Sequence, residues 1–372
     1  MLPTDFIGAP VDTLPTPCLT LDLPKLEANL RRMQAFAEAN GKALRPHVKS
    51  HKCTQLARKQ VELGAEGICA AKISEAEKLI EAGLTNLMIT GPVVGEQGYR
   101  RLVSLVAHDP SLIITLDNLE VAQAISQRIS LAGLVVNCLL DLNVGQQRTG
   151  VEPDQAAEFA GMLASLPGLR LVGMQAYAGH LQHIVSYEER ARLCRTAIAL
   201  AEGVFHQLHA HGLDIFTVGG TGSCEFDVEF PAVTEIQPGS YPLMDADYLA
   251  IEERGERYAL ALTIQTTVLS ANQPGFVTID AGLKTIYRDG PAPFVVRTAP
   301  GGVAGEGFAY DWFGDEYGRI TLPGGVQLKP GDRVEMCVSH CDPTVNLFDY
   351  FYVTENGLVR EVWPIDLRGC SQ

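Results

Sequence analysis

The chain reads as an α/β protein, a (β/α)8 TIM barrel followed by a second, mostly β domain, and three observations predict this. From about residue 40 to 250, short apolar or β-branched runs alternate with longer helical patterns, the signature of βα units around a parallel sheet. Eight such runs can be counted, the number that closes a barrel. Beyond about residue 255 the helical pattern gives way to strand-like runs separated by Pro-Gly and Gly-Gly turns.

Taken in order, the strand candidates are Ala43–Val48, Gly67–Ala71, Asn86–Thr90, Leu112–Leu116, Leu134–Leu140, Leu169–Gln175, Asp214–Val218 and Thr234–Gln237. Helices fill the intervals. In Ile73–Ala82 the residues Ala76, Leu79 and Ile80, with Leu84 just beyond, recur at roughly helical spacing, and Asp154–Leu166 is a second case. The later strand-like runs are Tyr258–Ser270, Gly275–Ile279, Arg333–Val338 and Tyr350–Thr354. The opening Pro17–Asp22 is also strand-like and precedes a helix at Leu23–Ala39, so it is expected to join the C-terminal domain. The expected domains are therefore 23–250 for the barrel and 1–22 plus 251–372 for the β domain.

A length of 372 residues gives a prior of two domains, and the composition, 46% hydrophobic and 20% charged, is that of a globular protein without a bilayer-spanning run. The N-terminus lacks a basic start and apolar centre, so a cytoplasmic location is expected. Nine cysteines without a CxxC pair argue against a disulfide framework and a zinc ribbon, and are expected to be reduced and mostly buried. A net charge of −15 opposes phosphate-backbone binding, so neither nucleic acid nor membrane is an expected partner.

Candidate chemistry is sought at the C-terminal ends of barrel strands. Lys49, in Leu44-Arg-Pro-His-Val-Lys-Ser-His-Lys52, ends the first strand among imidazoles and cations that favour its neutral, imine-forming amine. By itself the segment reads more readily as a solvated basic turn, since most lysines are surface residues. Val218-Gly-Gly-Thr-Gly-Ser223 follows the seventh strand and Gln237-Pro-Gly-Ser-Tyr241 the eighth, where glycine turns form anion nests and phosphate sites. Thr221 and Ser223 add hydroxyls. A lysine for an imine plus a phosphate seat suggests pyridoxal 5′-phosphate (PLP). Tyr177 and His180 follow the sixth strand and Gln146 and Arg148 the fifth, as ring partners or as packing and salt-bridge residues. In Val338-Ser-His-Cys-Asp-Pro-Thr344, continued extended geometry puts His340 and Asp342 on one face, able to hold Mn²⁺, Mg²⁺ or Zn²⁺ or simply to pair, and Cys341 on the other.

Thr16-Pro-Cys-Leu, Arg45-Pro-His-Val-Lys-Ser-His-Lys52, Gly219-Gly-Thr-Gly-Ser223, Pro238-Gly-Ser-Tyr241 and Ser339-His-Cys-Asp342 together make nearly the whole chain resemble the metal-activated D-threonine aldolases, relatives of eukaryotic-type D-serine dehydratase with the alanine racemase-like, type III PLP fold. The resemblance implies that Lys49 carries PLP as an imine and that His183 is the catalytic base. It implies cofactor binding by His47, Arg148, Tyr177, Gly220, Thr221, Gly222, Ser223, Gly239, Ser240 and Tyr241, and metal binding by His340 and Asp342. It also implies a homodimer. Dehydratase-like relatives carry cysteine where Asp342 stands, and an oxygen ligand makes Mn²⁺ or Mg²⁺ more plausible than Zn²⁺. Tyr317, in Asp315-Glu-Tyr-Gly318, departs from the histidine common in relatives. The implied reaction is retro-aldol cleavage of a D-3-hydroxy amino acid, D-threonine giving glycine and acetaldehyde. The alternatives are a D-serine or 3-hydroxy-D-aspartate dehydratase and a 3-hydroxy-D-aspartate aldolase. More distant ones are a racemase, a class I aldolase without PLP and a noncatalytic PLP carrier.

Overall fold

The structure, a computed structural model, describes residues 2–208, 211–299, 302 and 305–372. By internal contacts the chain divides into two units. The barrel unit comprises 31–49, 56–239 and 369–372, and the β unit 1–30, 50–55 and 240–368.

After β1 (Cys18–Asp22), which belongs to the β unit, the barrel strands run β2 (Ala43–Leu44), β3 (Ile68–Ala70), β4 (Leu87–Ile89), β5 (Ile113–Leu116), β6 (Val136–Asp141), β7 (Leu169–Ala176), β8 (Ile215–Val218) and β9 (Glu235–Ile236). All eight pair in parallel in the order β2-β9-β8-β7-β6-β5-β4-β3. The parallel bridge between His47 and Cys69 joins β2 to β3 and closes the ring. Each strand falls within one of the eight expected runs or overruns it by one residue. The first is only two residues long because Pro46 has no N–H to give the ladder, after which His47 N–H reaches the Pro238 carbonyl at 3.1 Å. The interior is a packed core: Cys69, Met88, Ile113 and Leu139 cluster with Val172 and Ile215 against them. Full burial of each such aliphatic side chain contributes about 1.5–3 kcal/mol. The helices Ile73–Glu81 and Ala156–Ser165 match the expected patterns, trimmed at their ends.

A buried ion pair lies in this unit, Arg45 Nε to Glu235 Oε2 at 2.9 Å, with both side chains at most 4% exposed. It ties β9 to the residue that extends β2, and Arg45 also donates to the Asn86 carbonyl before β4.

The β unit continues with β10 (Leu262–Ser270), β11 (Phe276–Ile279), β12 (Phe294–Ala299), β13 (Ala309–Trp312), β14 (Gly318–Thr321), β15 (Arg333–Cys337), β16 (Tyr350–Glu355) and β17 (Leu358–Pro364). Strand β1 lies between β10, antiparallel, and β16, parallel, so the N-terminal strand does join the C-terminal sheet. Strands β12, β13, β14 and β17 were not among the expected runs. Each is short or carries charge, as in Arg297, Asp311, Arg319 and Arg360–Glu361, which weakens the apolar signal. Leu14, Cys18, Tyr352 and Val359 form a core with Phe6, Val11 and Val362, fastening the N-terminal segment. All nine cysteines are free and eight are buried. No helix among the described residues is long and apolar enough to cross a membrane.

Candidate active site

Lys49 does not end an extended strand. It sits in a single 3-10 turn, Val48–Ser50, just past the His47 bridge, because the last ladder partner of this strand is spent at His47. Its backbone N–H donates to His47 Nδ1 at 3.3 Å, which leaves the ring proton on Nε2, 3.0 Å from Thr90 Oγ1. Thr90 passes its own proton to the Ala70 carbonyl. The buried His47 ring thus ties the lysine turn to the ends of β3 and β4, while the Lys49 side chain stays half-buried. Lys52 belongs to the β unit, with φ of 51° and its carbonyl accepting from Leu367 N–H at 3.0 Å.

The loop after β6 carries Gln146 and Arg148. Asn143 Oδ1 accepts the N–H groups of Gly145 and Gln147, both at 3.1 Å, and Thr149 Oγ1 donates to Asp141 Oδ2 at 2.8 Å. Burial pushes the Asp141 carboxyl above its ordinary 3.8, against the hydrogen bonds from Gln175 and Thr149 that pull it down. So anchored, the loop sets the Arg148 guanidinium 5.5 Å from the Tyr177 ring centroid, a cation–π contact from two of the expected positions.

After β7 the chain makes a short turn, Gly179–Leu181, that presents His180 and His183 on the surface. Partial burial lowers the pKa of His180 below 6.5, favouring its neutral form. Between the two histidines Gln182 is buried. It reaches the loop after β8, where its Oε1 accepts Gly222 N–H at 3.0 Å and its Nε2 donates to Ser223 Oγ at 2.8 Å. Ser223 Oγ in turn donates to Asp227 Oδ2 at 2.7 Å and accepts Gly220 N–H at 3.2 Å. The Ser223 hydroxyl proton is therefore directed inside the loop, to Asp227. Residue 222 must be glycine, since a Cβ would stand 1.9 Å from the Gln182 carbonyl oxygen, and at 220 a Cβ would displace the Gln182 amide, whose Oε1 lies 2.3 Å from that position. Glycines at a strand's C-terminal end permit close backbone approach to an anion, so Lys49 and this loop fit a phosphorylated aldehyde such as PLP.

In the β unit the expected extended run through His340 does not continue. Strand β15 stops at Cys337 and a helical turn, Cys341–Val345, begins with His340 as its N-cap. Pro343 explains this, being accepted in a helix's first turn and excluded from a central strand. Helical winding still brings His340 Nε2 and Asp342 Oδ1 to 3.9 Å, but it does not send Cys341 to the opposite side, for its Sγ lies 3.4 Å from Asp342 Oδ1. Asp245 organises the group. Its Oδ2 lies 2.9 Å from His340 Nδ1 and accepts Cys341 N–H at 2.7 Å, while Oδ1 caps the helical turn Ala246–Leu249 through Tyr248 N–H. With the Nδ1 proton on Asp245, the Nε2 lone pair is turned toward the Asp342 carboxylate, and two acceptors at that separation fit a cation. Asp245, His340 and Cys341 also meet as a possible ligand trio. Burial, then the charges of Asp245 and Asp342, push the Cys341 thiol well above 9.0. Ser240 Oγ donates to Asp342 Oδ1 at 3.2 Å, and the buried Tyr241 ring packs 6.1 Å from Tyr258. Gly239 is the last residue of the barrel unit's main segment. Tyr317 is half exposed in the β13–β14 turn.

Sequence reasoning did not find Asp245, Asp227 or the role of Gln182. Asp245 stands three residues before the Tyr248 N–H it caps, a helix-start signal, but nothing in the sequence links it to residue 340.

Residues 21–246 match the model of the alanine racemase N-terminal domain, and 261–354 that of a putative serine dehydratase domain. A D-threonine aldolase of Arthrobacter sp is 38% identical over 98% of this chain and 96% of its own. A 3-hydroxy-D-aspartate aldolase of Paracoccus denitrificans is 34% identical over 98% of both. The crystal structure of D-threonine aldolase from Filomicrobium marinum superposes with a TM-score of 0.91 at 33% identity, covering 98% of this chain and 99% of that one.

Proposed function

The chain belongs to the D-threonine aldolase and D-serine dehydratase family, in which an alanine racemase N-terminal domain precedes a serine dehydratase domain, and we propose that it is an aldehyde-lyase cleaving D-3-hydroxy amino acids with PLP and a divalent metal. The reference reaction is D-threonine to glycine and acetaldehyde. The observation that carries this reading is the His340–Asp342 pair with Asp245 behind it, a cation seat with an oxygen ligand, in a chain that also sets a lysine beyond the first barrel strand.

The reading divides the work between a PLP-binding barrel unit and a metal-bearing β unit that includes Asp245. Bound PLP supplies the electron sink for the pair released when Cα–Cβ breaks, and the metal lowers the pKa of the substrate's β-hydroxyl. Lys49 Nζ is the amine that holds the cofactor, its turn fixed by His47. Gly220, Thr221, Gly222 and Ser223, with Gly239, Ser240 and Tyr241, are the phosphate seat, and Tyr177 with Arg148 borders the ring. His183 takes the β-hydroxyl proton, its exposure leaving it open to substrate. His340 and Asp342 hold the metal, and a carboxylate ligand favours Mn²⁺ or Mg²⁺ over Zn²⁺.

One observation supports a second substrate. The exposed Arg148 guanidinium suits a distal carboxylate, as in 3-hydroxy-D-aspartate. A panel of D-threonine, D-phenylserine and 3-hydroxy-D-aspartate, with metal added and chelated, tests both readings by following aldehyde and 2-oxo acid together. Glycine and aldehyde in equal amounts, only with metal, is the expected result. 2-Oxobutanoate and ammonia from D-threonine would replace the aldolase reading by the dehydratase one. A cytoplasmic homodimer completes the proposal, and light scattering on the purified protein checks its mass.

A further inference from the structure

We propose that Gln182 is a positioning residue that couples the glycine loop to His183, an inference that rests on the proposed roles of both. Gln182 is 1% exposed, and its amide is used at both ends. Oε1 accepts from Gly222 N–H at 3.0 Å, and Nε2 donates to Ser223 Oγ at 2.8 Å and to the Ala178 carbonyl at 3.3 Å. One side chain thus bonds the first residues of the histidine turn and two residues of the loop assigned to phosphate. The network continues through Ser223 to Asp227 at 2.7 Å, so the loop's internal hydrogen bonding is joined to the Gln182 amide.

A second, independent clamp acts on the other side of His183. Arg190, fully buried, donates Nη1 to the carbonyls of Ile184 at 2.7 Å and Val185 at 3.1 Å. Its Nη2 lies 3.6 Å from Glu225 Oε1, two residues beyond Ser223, and its guanidinium lies 5.7 Å from each of the Tyr187 and Phe226 rings. The exposed His183 therefore sits between a neighbour at 182 and carbonyls at 184 and 185 that are both tied to the segment 222–227. A shift of the glycine loop on binding an anion is passed to the histidine turn through the hydrogen bonds that Gln182 makes to Gly222 and Ser223. Gln182 does no chemistry itself. It fixes where the base stands once the cofactor seat is filled.

The test is Gln182→Met, which keeps the volume and removes every side-chain hydrogen bond, measured as PLP-loaded enzyme against wild type by hydrogen exchange and kinetics. Exchange over 179–186 is expected to rise by about tenfold while the helix segment Ala197–Gln207 is unchanged. With PLP saturating and its absorbance intact, kcat should fall by about 10- to 100-fold with KM little altered, the signature of a misplaced base. Unchanged exchange at 179–186 would overturn the inference. So would full recovery of kcat at saturating PLP, which would limit Gln182 to the cofactor seat, or a rise in exchange spread over the whole barrel, which would make its role merely structural. Should the wild type cleave no D-3-hydroxy amino acid, the functional reading falls, and local against global exchange still decides whether Gln182 clamps the turn.

Discussion

The barrel unit draws its candidate groups from strand ends spread between Lys49 and Gly239, whereas the β unit draws Asp245, His340 and Asp342 from two short segments. The two are held differently as a result. In the barrel each side chain is placed by a backbone turn and checked by a buried neighbour: His47 for Lys49, Gln182 and Arg190 for His183, Asn143 for the Arg148 loop. In the β unit a single carboxylate sets one imidazole, and helical winding brings Asp342 to within 3.9 Å of it. The barrel arrangement spreads positional error over several supports, and the β-unit arrangement concentrates it on Asp245.

The largest expected effect comes from the barrel lysine proposed to hold PLP. Lys49→Ala should abolish both turnover and the protein-linked visible absorbance, and borohydride reduction of the wild type followed by peptide mapping should label Lys49. Label on Lys52 would reverse the assignment. Next, Asp342→Ala or chelation should abolish cleavage while that absorbance persists, which separates the two units' contributions. If D-threonine is cleaved at full rate in chelator, the β unit plays no part in the chemistry.

A smaller effect is expected at the single support. Asp245→Asn should weaken metal affinity by about 10- to 100-fold without removing a ligand, as loss of an orienting partner does. Metal titration followed by calorimetry measures this, and affinity equal to wild type would show that His340 needs no orienting carboxylate. Glu235→Ala probes the barrel frame. It leaves Arg45 buried and unpaired, so unfolding in urea should report a loss of about 3–5 kcal/mol.

The smallest effect is in pH dependence. The folded-state pKa of Asp141 is raised by burial, so the native state binds more protons than the unfolded one between 3.8 and that higher value. Stability at this site is greatest at low pH and is lost as pH rises through the window, by at most about 1.4 kcal/mol per unit. Relative to wild type, Asp141→Asn should gain stability as pH rises from 4, and parallel urea curves at each pH would contradict the shift.

Much of the fold was legible because barrel strands buried on both faces write themselves as continuous apolar runs, and eight of these stand in order with helices between. The missed strands are half-exposed pieces of the antiparallel sheet, such as β13 and β14, in which Asp311 and Arg319 face solvent. Of the site, the residues within named motifs were legible: Lys49, the 219–223 loop, His340 and Asp342. The geometry read around two of them was not. Lys49 lies in a turn instead of on a strand, and His340 begins a helix, because Pro46 and Pro343 act locally in ways that strand alternation does not register.

The sequence by itself determined which groups are present, a lysine after the first barrel strand, glycine-bearing turns after the seventh and eighth, and a histidine two residues before an aspartate. These are local facts, set by spacing and by the conformations glycine and proline permit. Only the tertiary structure decided what each group is bonded to: Gln182 with Ser223 across 41 residues, His340 with Asp245 across 95. A hydrogen bond between distant segments leaves no periodicity in either, so it becomes visible only once folding has brought donor and acceptor to within 3 Å.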